Sequence, residues 1–194
     1  MWPGDTAFEA DRTWLLDGDC PVNVSRITLS THSGTHADAP FHYDSAGITA
    51  EAMDLAPYIG PCRLIDARHA EGRVTLADIA GVIADPPPRV LLRTFERFDH
   101  GVWPADFTAL GADLVDRLAD LGVVLVGVDS PSIDPETSKD LPAHNAVRRR
   151  GLSILEGLVL DDVPCGDYEL IALPLPLEGL DASPVRAVLR ELAR

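Results

Sequence analysis

A stretch of eleven residues, from His32 to His42, holds three of the six histidines in a chain of 194 residues, together with an aspartate. The four groups are His32, His36, Asp38 and His42. All four positions are even-numbered, so a straight strand would place them on one face. An extended chain rises roughly 3.3 Å per residue, which would hold His32 and Asp38 about 20 Å apart, too far for one metal ion. The segment must therefore bend, and Gly34 and Pro40 favour a folded loop over a helix.

Imidazole nitrogen and carboxylate oxygen are ligands that suit zinc and manganese, and a catalytic zinc commonly has three protein ligands and one open position. His32, His36 and Asp38 match that number of ligands. His42 would then remain as a proton carrier, because imidazole titrates near neutral pH. The alternative is a polar loop whose histidines make ordinary hydrogen bonds. The concentration of these groups in so short a segment favours the metal site.

The composition limits the classes of protein to which the chain can belong. Its length suits one domain with a substantial core, and 46% hydrophobic and 24% charged residues are ordinary for a globular protein. The net charge of −15 argues against nucleic acid and anionic membranes as partners. The basic run Arg148–Arg150 suits the last turn of a helix. We expect a single domain over residues 1–194.

The cysteines and the absence of targeting signals predict a compartment. Cys20, Cys62 and Cys165 are an odd number without C-x-x-C spacing, so neither a disulfide framework nor a cysteine zinc site is indicated. No apolar run reaches the ~20 residues of a membrane helix, and the acidic N-terminus lacks the features of a signal peptide. We therefore expect reduced thiols and a cytoplasmic location.

Alternating strand and helix patterns predict an α/β fold. Residues 1–20 have no clear period and predict an N-terminal arm. Strands are expected within 22–31, 62–67, 89–94, 123–128 and 168–173, and helices within 48–58, 76–84, 108–121, 144–151 and 184–192, the last capped by Ser183. The first strand would deliver His32 to its loop.

Two regions outside the histidine segment carry further polar groups. Asp129, Ser130, Asp134 and Lys139 lie in a turn-rich loop after a central strand, of the kind that carries function. They could shape a pocket, but turn or capping roles are expected for each one separately. His144 begins a predicted helix, and Glu156 falls in a predicted turn into an apolar run, where an ionised carboxylate needs a partner or a metal. The residues alone predict a helix-start role for His144 and an arginine partner for Glu156.

Five motifs give the chain a resemblance to a known family. They are THSGTHADAPFHYDSAG at 31–47, WPGDT at 2–6, GVDSPS at 127–132, LPAH at 141–144 and ILEGL at 154–158. These motifs resemble those of the bacterial metal-dependent arylformamidases, or kynurenine formamidases, of the cyclase-like amidohydrolase superfamily. The resemblance extends over nearly the whole chain, and WPGDT and ILEGL favour the formamidase branch.

The resemblance implies a mixed β-sheet with flanking helices, of the swivelling β/β/α type, and a homodimer in which the N-terminal arm reaches the partner. It also implies two zinc ions, the first held by His32, His36 and Asp38, and the second by Asp38, His144 and Glu156, so that Asp38 bridges them. Manganese is the alternative metal. Trp2 matches a tryptophan that packs on the aromatic substrate; otherwise it would be a surface anchor or a dimer contact.

Two metal ions that share a carboxylate can activate a water molecule and polarise a carbonyl oxygen, as amide hydrolysis requires. No serine stands in a G-x-S-x-G motif, so serine-esterase chemistry has no support. The resemblance implies N-formyl-L-kynurenine as substrate, cleaved to L-kynurenine and formate in tryptophan degradation, with His42 moving the proton. The alternatives are a related amide hydrolase, such as an isatin hydrolase, and a non-catalytic metal- or ligand-binding protein.

Overall fold

A computed structural model describes residues 2–99 and 101–192 of the chain. The strands are β1 (Glu9–Trp14), β2 (Val24–Thr28), β3 (His36–Asp38), β4 (Ile59–Asp66), β5 (Arg73–Val74), β6 (Arg89–Arg93), β7 (Ala109–Leu110), β8 (Leu125–Val128), β9 (Ser153–Glu156), β10 (Gly166–Ile171), β11 (Ala182–Pro184) and β12 (Val188–Glu191). The α-helices are α1 (Leu76–Ile79), α2 (Ala112–Asp120) and α3 (Pro142–Arg150), and short 3-10 helices cover Pro40–His42, Ala50–Ala52 and Ala56–Tyr58. None of the helices in the described part of the chain is long and apolar enough to span a membrane.

Eight strands form one mixed sheet in the order β11-β3-β9-β8-β6-β4-β10-β12. Its four middle strands, β9, β8, β6 and β4, run parallel to one another. The strands on both sides of this group pair antiparallel. The predicted α/β fold with a mixed sheet and flanking helices is therefore confirmed.

One apolar cluster covers each face of the sheet. Alternate residues of the middle strands point to opposite sides and so belong to different clusters. Val90 and Leu92 of β6 join the apolar cluster that includes the buried faces of α2 and α3, whereas Leu91 joins a second cluster on the other side. Helix α2 contributes Leu114, Val115 and Leu118, all completely buried. Helix α3 ends with Arg148–Arg150, as the sequence predicts, and Gly151 follows it in the left-handed conformation.

The prediction of a helix over residues 184–192 is wrong. Pro184 ends β11, and β12 adds the outermost strand of the sheet by pairing with β10. Ser183 does not cap a helix: its backbone pairs with Ala37 in the ladder, and its hydroxyl accepts a hydrogen bond from the Leu175 N–H. Pairing with an existing sheet edge thus outweighs the local capping signal.

Other predicted boundaries also need correction. The arm at residues 1–20, of which Met1 lies outside the described residues, includes strand β1, which pairs antiparallel with β2 in a separate two-stranded sheet. Residues 48–58 form two single 3-10 turns instead of one helix. Helix α1 begins with a capping box of Thr75 and Asp78 and ends at Ile79, short of the predicted end at residue 84.

Candidate active site

Strands β3 and β9 bring three of the candidate ligands together inside the sheet. His36 and Asp38 lie on the same face of β3, and the antiparallel register places His36 opposite Glu156. The exposed fractions of these residues are 2% for His36, 2% for Asp38 and 3% for Glu156. The prediction of a turn at Glu156 is wrong, because this residue ends β9.

The predicted bend of the histidine segment is present. Gly34 adopts φ +65°, which places His32 and His36 on the two sides of a turn. Gly157 packs against this turn with φ +63°, and a Cβ atom there would lie 2.6 Å from the Gly34 carbonyl oxygen. The Thr35 hydroxyl donates a hydrogen bond to the Gly157 carbonyl at 2.7 Å. The end of β9 is therefore tied directly to the histidine turn.

The carboxylate of Asp38 lies at the centre of the cluster. Its Oδ1 is 3.1 Å from His32 Nδ1 and 3.4 Å from His36 Nε2, and its Oδ2 is 3.5 Å from His144 Nε2. The Glu156 carboxylate lies 3.4 Å from His36 Nε2 and 3.6 Å from His144 Nε2. Two ligand atoms of a tetrahedral zinc are about 3.3 Å apart when each bond is about 2.0 Å long. The observed separations match those of ligands that share metal ions.

Several atoms of this cluster are buried without a hydrogen bond. They are both carboxylate oxygens of Asp38, Nε2 of His36 and Nε2 of His144. A buried polar group without a partner costs about 1–3 kcal/mol, and folded proteins rarely leave such groups together. A metal ion would satisfy these atoms at once, so the residues present fit a metal site.

The outer nitrogen of each candidate imidazole ligand has its own hydrogen-bond partner. His144 Nδ1 lies 2.7 Å from Asp134 Oδ2, His36 Nδ1 lies 2.9 Å from the Gly34 carbonyl, and His32 Nε2 lies 3.0 Å from Asp181 Oδ2. Carboxylates and carbonyls behind metal-binding histidines commonly fix the ring orientation and the tautomer in this way. The inner nitrogens are thereby left to face the cluster.

The carboxylates of the cluster attract positive charge. Burial disfavours the charged imidazole of His36, but Asp38 and Glu156 outweigh burial and raise its pKa to about 10. Burial likewise opposes the charge of His144, whereas Asp134 and Asp38 raise its pKa to about 10. Burial alone would raise the pKa of Asp38, yet the neighbouring imidazoles hold it well below its usual range. The site is thus built to accommodate cations.

His42 belongs to the same cluster. It ends the 3-10 helix Pro40–His42, and its ring centroid lies 4.2 Å from that of His32. Two sets of donor atoms lie within 4.8 Å of one another and could hold a metal: His32, Asp38 and His42 form one, and His36, Asp38 and Glu156 the other. By distance alone, His42 can be either a proton carrier or a ligand.

A cavity of about 700 Å³ opens onto the cluster. Trp2 lines it and makes an edge-to-face contact with Trp103, with 5.1 Å between the ring centroids. Trp103 Nε1 donates a hydrogen bond to Glu136 at 2.7 Å. The other lining residues include His32, His36, His42, Phe98, Val102, Leu141, His144 and Glu156. All seven residues predicted from the sequence are thus at or next to one cavity.

Two carboxylates of the site were not predicted from the sequence. Asp134 was assigned to turns and caps, and it does accept hydrogen bonds from the first N–H groups of α3, at Ala143 and His144, at 3.0 Å each. Its contact with the imidazole of His144 could have been suspected, because Asp134 lies in the loop before α3 and His144 lies in the first turn of that helix. Asp181 lies 149 residues from His32 without a local motif, so only the fold brings them together.

Comparisons with known proteins agree with this geometry. The model of the Cyclase family matches residues 1–135. A kynurenine formamidase from Sphingopyxis alaskensis is 54% identical over 193 residues, which cover 100% of this chain and 92% of that protein. A solved structure described as a potential metal-dependent hydrolase with cyclase activity is 35% identical, with a TM-score of 0.80 over 93% of this chain and 86% of the other. An isatin hydrolase bound to the product analogue thioisatinate is 25% identical, with a TM-score of 0.80 over 95% of this chain and 81% of its own.

Proposed function

The chain belongs to the Cyclase family, and from this premise we propose that it hydrolyses N-formyl-L-kynurenine to L-kynurenine and formate, the arylformamidase step of tryptophan degradation in the kynurenine pathway. The kynurenine formamidase that is 54% identical over the whole chain supports this substrate. The observation that carries the proposal is the buried cluster around Asp38, in which both Asp38 oxygens and Nε2 of His36 and of His144 lack hydrogen bonds. The cluster opens onto a cavity with aromatic walls.

We propose that the cluster holds two zinc ions per chain. The first would be held by His32, His36 and Asp38, and the second by Asp38, His144 and Glu156. This division is supported by Asp38 itself, because Oδ1 faces His32 and His36 while Oδ2 faces His144. Manganese is the alternative, since imidazole and carboxylate ligands accept both metals. When bound, the ions would supply a water activated at neutral pH and an electrophile for the formyl oxygen.

His42 is proposed as the proton carrier of the reaction. The water oxygen forms a bond to the formyl carbon, the carbon–nitrogen bond breaks, and formate leaves with one oxygen from water, while the second proton of the water is released to solvent. His42 accepts a proton from the attacking water and delivers it to the departing aryl nitrogen. Its side chain is 33% exposed, compared with 2–3% for His36 and His144, so it can also exchange protons with solvent.

The walls of the cavity suit an aryl formamide. Trp2 and Trp103 form an aromatic corner, and aromatic rings pack favourably edge to face or offset at centroid distances of about 4.5–7 Å. We propose that Trp2 contacts the ring of the substrate. The Glu136 carboxylate fixes the indole of Trp103 beside it, so the corner is held in place before substrate binds.

A related activity, hydrolysis of isatin, is the second candidate. The isatin hydrolase of similar fold supports it, since both substrates present an aryl amide to the site. The experiment compares turnover of N-formyl-L-kynurenine and of isatin by the same zinc-loaded preparation. Turnover of the formamide that is about 100-fold or more faster than turnover of isatin supports the proposal. A difference of this size can come from several contacts that one substrate makes and the other does not. Preference for isatin would contradict it.

We further propose that the whole chain is one arylformamidase domain that functions as a homodimer in the cytoplasm. The hairpin of β1 and β2 supports the dimer, because Trp14 and Ile27 on it and Phe8 directly before it are 56–61% exposed and a second copy could cover them. Three unpaired cysteines among the described residues suit a reducing compartment. Light scattering at several protein concentrations tests the dimer, and a monomer throughout would contradict it.

A further inference from the structure

Asp181, which directly precedes β11, contacts both ends of the histidine segment. Its Oδ1 accepts a hydrogen bond from the Thr31 hydroxyl at 2.8 Å. Its Oδ2 lies 3.0 Å from His32 Nε2 and 3.4 Å from His42 Nδ1. Its backbone carbonyl accepts a hydrogen bond from the Ala39 N–H at 2.9 Å. Asp181 thus contacts the histidine segment on both sides of the turn at Gly34.

The side chain and the backbone of Asp181 have separable contacts. The carbonyl bond to Ala39 survives any substitution of the side chain, so the path of the loop next to β3 is retained. The hydrogen bond from Thr31 fixes one carboxylate oxygen, which leaves the other to accept from the two imidazoles. Removing the carboxylate therefore alters the orientation of His32 and His42 more than the fold.

The carboxylate of Asp181 has no arginine or lysine partner within residues 2–99 and 101–192. The ion pairs that it makes there are with the imidazoles of His32 and His42. With 38% of its side chain exposed, it could have been solvated instead, yet three donors converge on it. Its charge is directed at the two rings.

We propose that Asp181 is the positioning residue of the proton carrier: it accepts the Nδ1–H of His42 and thereby leaves Nε2 as the nitrogen that exchanges the proton. This inference rests on the proposed function, in which His42 carries the proton. Two donors to one oxygen also fix the spacing of the two rings, whose centroids are 4.2 Å apart. A histidine whose outer nitrogen is bound to a carboxylate is held in one tautomer and one orientation.

The test compares Asp181→Asn with Asp44→Asn in the zinc-loaded protein. Asp44 lies two residues after His42 and pairs with Arg148 at 2.7 Å, so it controls for loss of a carboxylate near the same loop. Because His32 also loses a partner, Asp181→Asn is assayed at a zinc concentration that saturates it. Under that condition we expect an unchanged KM for N-formyl-L-kynurenine while kcat falls about 10–100-fold, the usual effect of removing such a partner. Asp44→Asn should keep kcat within about twofold, because its partner Arg148 is 52% exposed and ion pairs to solvent-exposed groups contribute little.

A second readout does not depend on turnover. Nitrogen-15 NMR of the histidine rings reports the tautomer of His42, whose signals are assigned by their absence from His42→Ala. The wild type should show the Nδ1–H form, and Asp181→Asn should show a mixture. An unchanged kcat with an unchanged tautomer would overturn the inference. A loss of zinc that accounts for the whole loss of activity would also overturn it, because Asp181 would then serve the metal through His32.

Failure of this inference can be distinguished from failure of the proposed function. A wild type that fails to hydrolyse N-formyl-L-kynurenine would remove the substrate, while the NMR comparison would still decide whether Asp181 fixes His42. Thr31→Val provides a milder perturbation if Asp181→Asn is poorly folded. It removes the bond that anchors Oδ1 and keeps the carboxylate, so a smaller fall in kcat and partial loss of the tautomer are expected. Unchanged values for Thr31→Val would count against the inference.

Discussion

Replacement of Asp134 by asparagine should weaken both the fold and the metal site, because this buried carboxylate connects them. It accepts hydrogen bonds from the N–H groups of Ala143 and His144 and from the imidazole of His144, at 3.0, 3.0 and 2.7 Å. The side chain is 1% exposed, so water cannot replace these bonds. The start of α3 and the orientation of His144 therefore depend on one side chain.

The expected magnitude follows from these contacts. The amide oxygen of asparagine can replace one carboxylate oxygen, but its NH₂ group must face a donor that was previously bonded. One lost buried bond and one weakened charge-assisted bond amount to about 2–4 kcal/mol in the free energy of unfolding. Metal affinity at the site that includes His144 should fall about 10–100-fold, because the ring loses the partner that orients it.

Urea unfolding of the metal-free protein and a zinc competition titration measure the two effects. Asp116→Asn is the control, since Asp116 pairs with Arg149 of the same helix at 2.9 Å on the surface. That variant should change the free energy of unfolding by at most about 1 kcal/mol and leave zinc affinity unchanged. Equal results for Asp134→Asn and Asp116→Asn would show that Asp134 does not connect the start of α3 to the metal site.

Three further variants test other parts of the site. His42→Ala should lower kcat by about 100-fold or more with both metal ions retained, as elemental analysis would report; loss of a metal ion would make His42 a ligand instead. Gly157→Ala should destabilise the protein far more than Gly151→Ala in thermal unfolding, because both have positive φ but only the first would clash with backbone. Trp2→Ala should raise KM for the formamide several-fold, because the substrate ring loses an aromatic contact. Trp14→Ala is the control and should leave KM unchanged, since Trp14 is 56% exposed and lies outside the cavity. Equal KM values for the two variants would show that Trp2 does not contact the substrate.

The sequence predicted most of the site because its chemistry is concentrated in local motifs. His32, His36, Asp38 and His42 occupy one short segment, and Gly34 has the left-handed backbone that the predicted bend required. The structure places them around one point. Their division between two metal ions stays a prediction, because the distances also group His42 with His32 and Asp38.

The parts that the sequence did not predict depend on tertiary pairing. Glu156 was expected in a turn, but pairing with His36 extends β9 to this residue and buries its carboxylate. The segment 188–191 has the composition of a helix, yet it completes the sheet by pairing with β10. Asp181 carries no local signal, since its partners lie at the opposite end of the chain. Contacts of such long sequence separation cannot be read from periodicity.

We expect hydrolysis of N-formyl-L-kynurenine to require metal ions bound by the Asp38 cluster. The most direct measurement follows this hydrolysis by absorbance for the purified protein, the chelator-treated protein and the same protein after zinc is restored, with elemental analysis of each. We expect turnover to disappear on chelation and to return as about two zinc ions bind per chain. Turnover that persists after the metal is removed, or full zinc occupancy without turnover, would contradict the account.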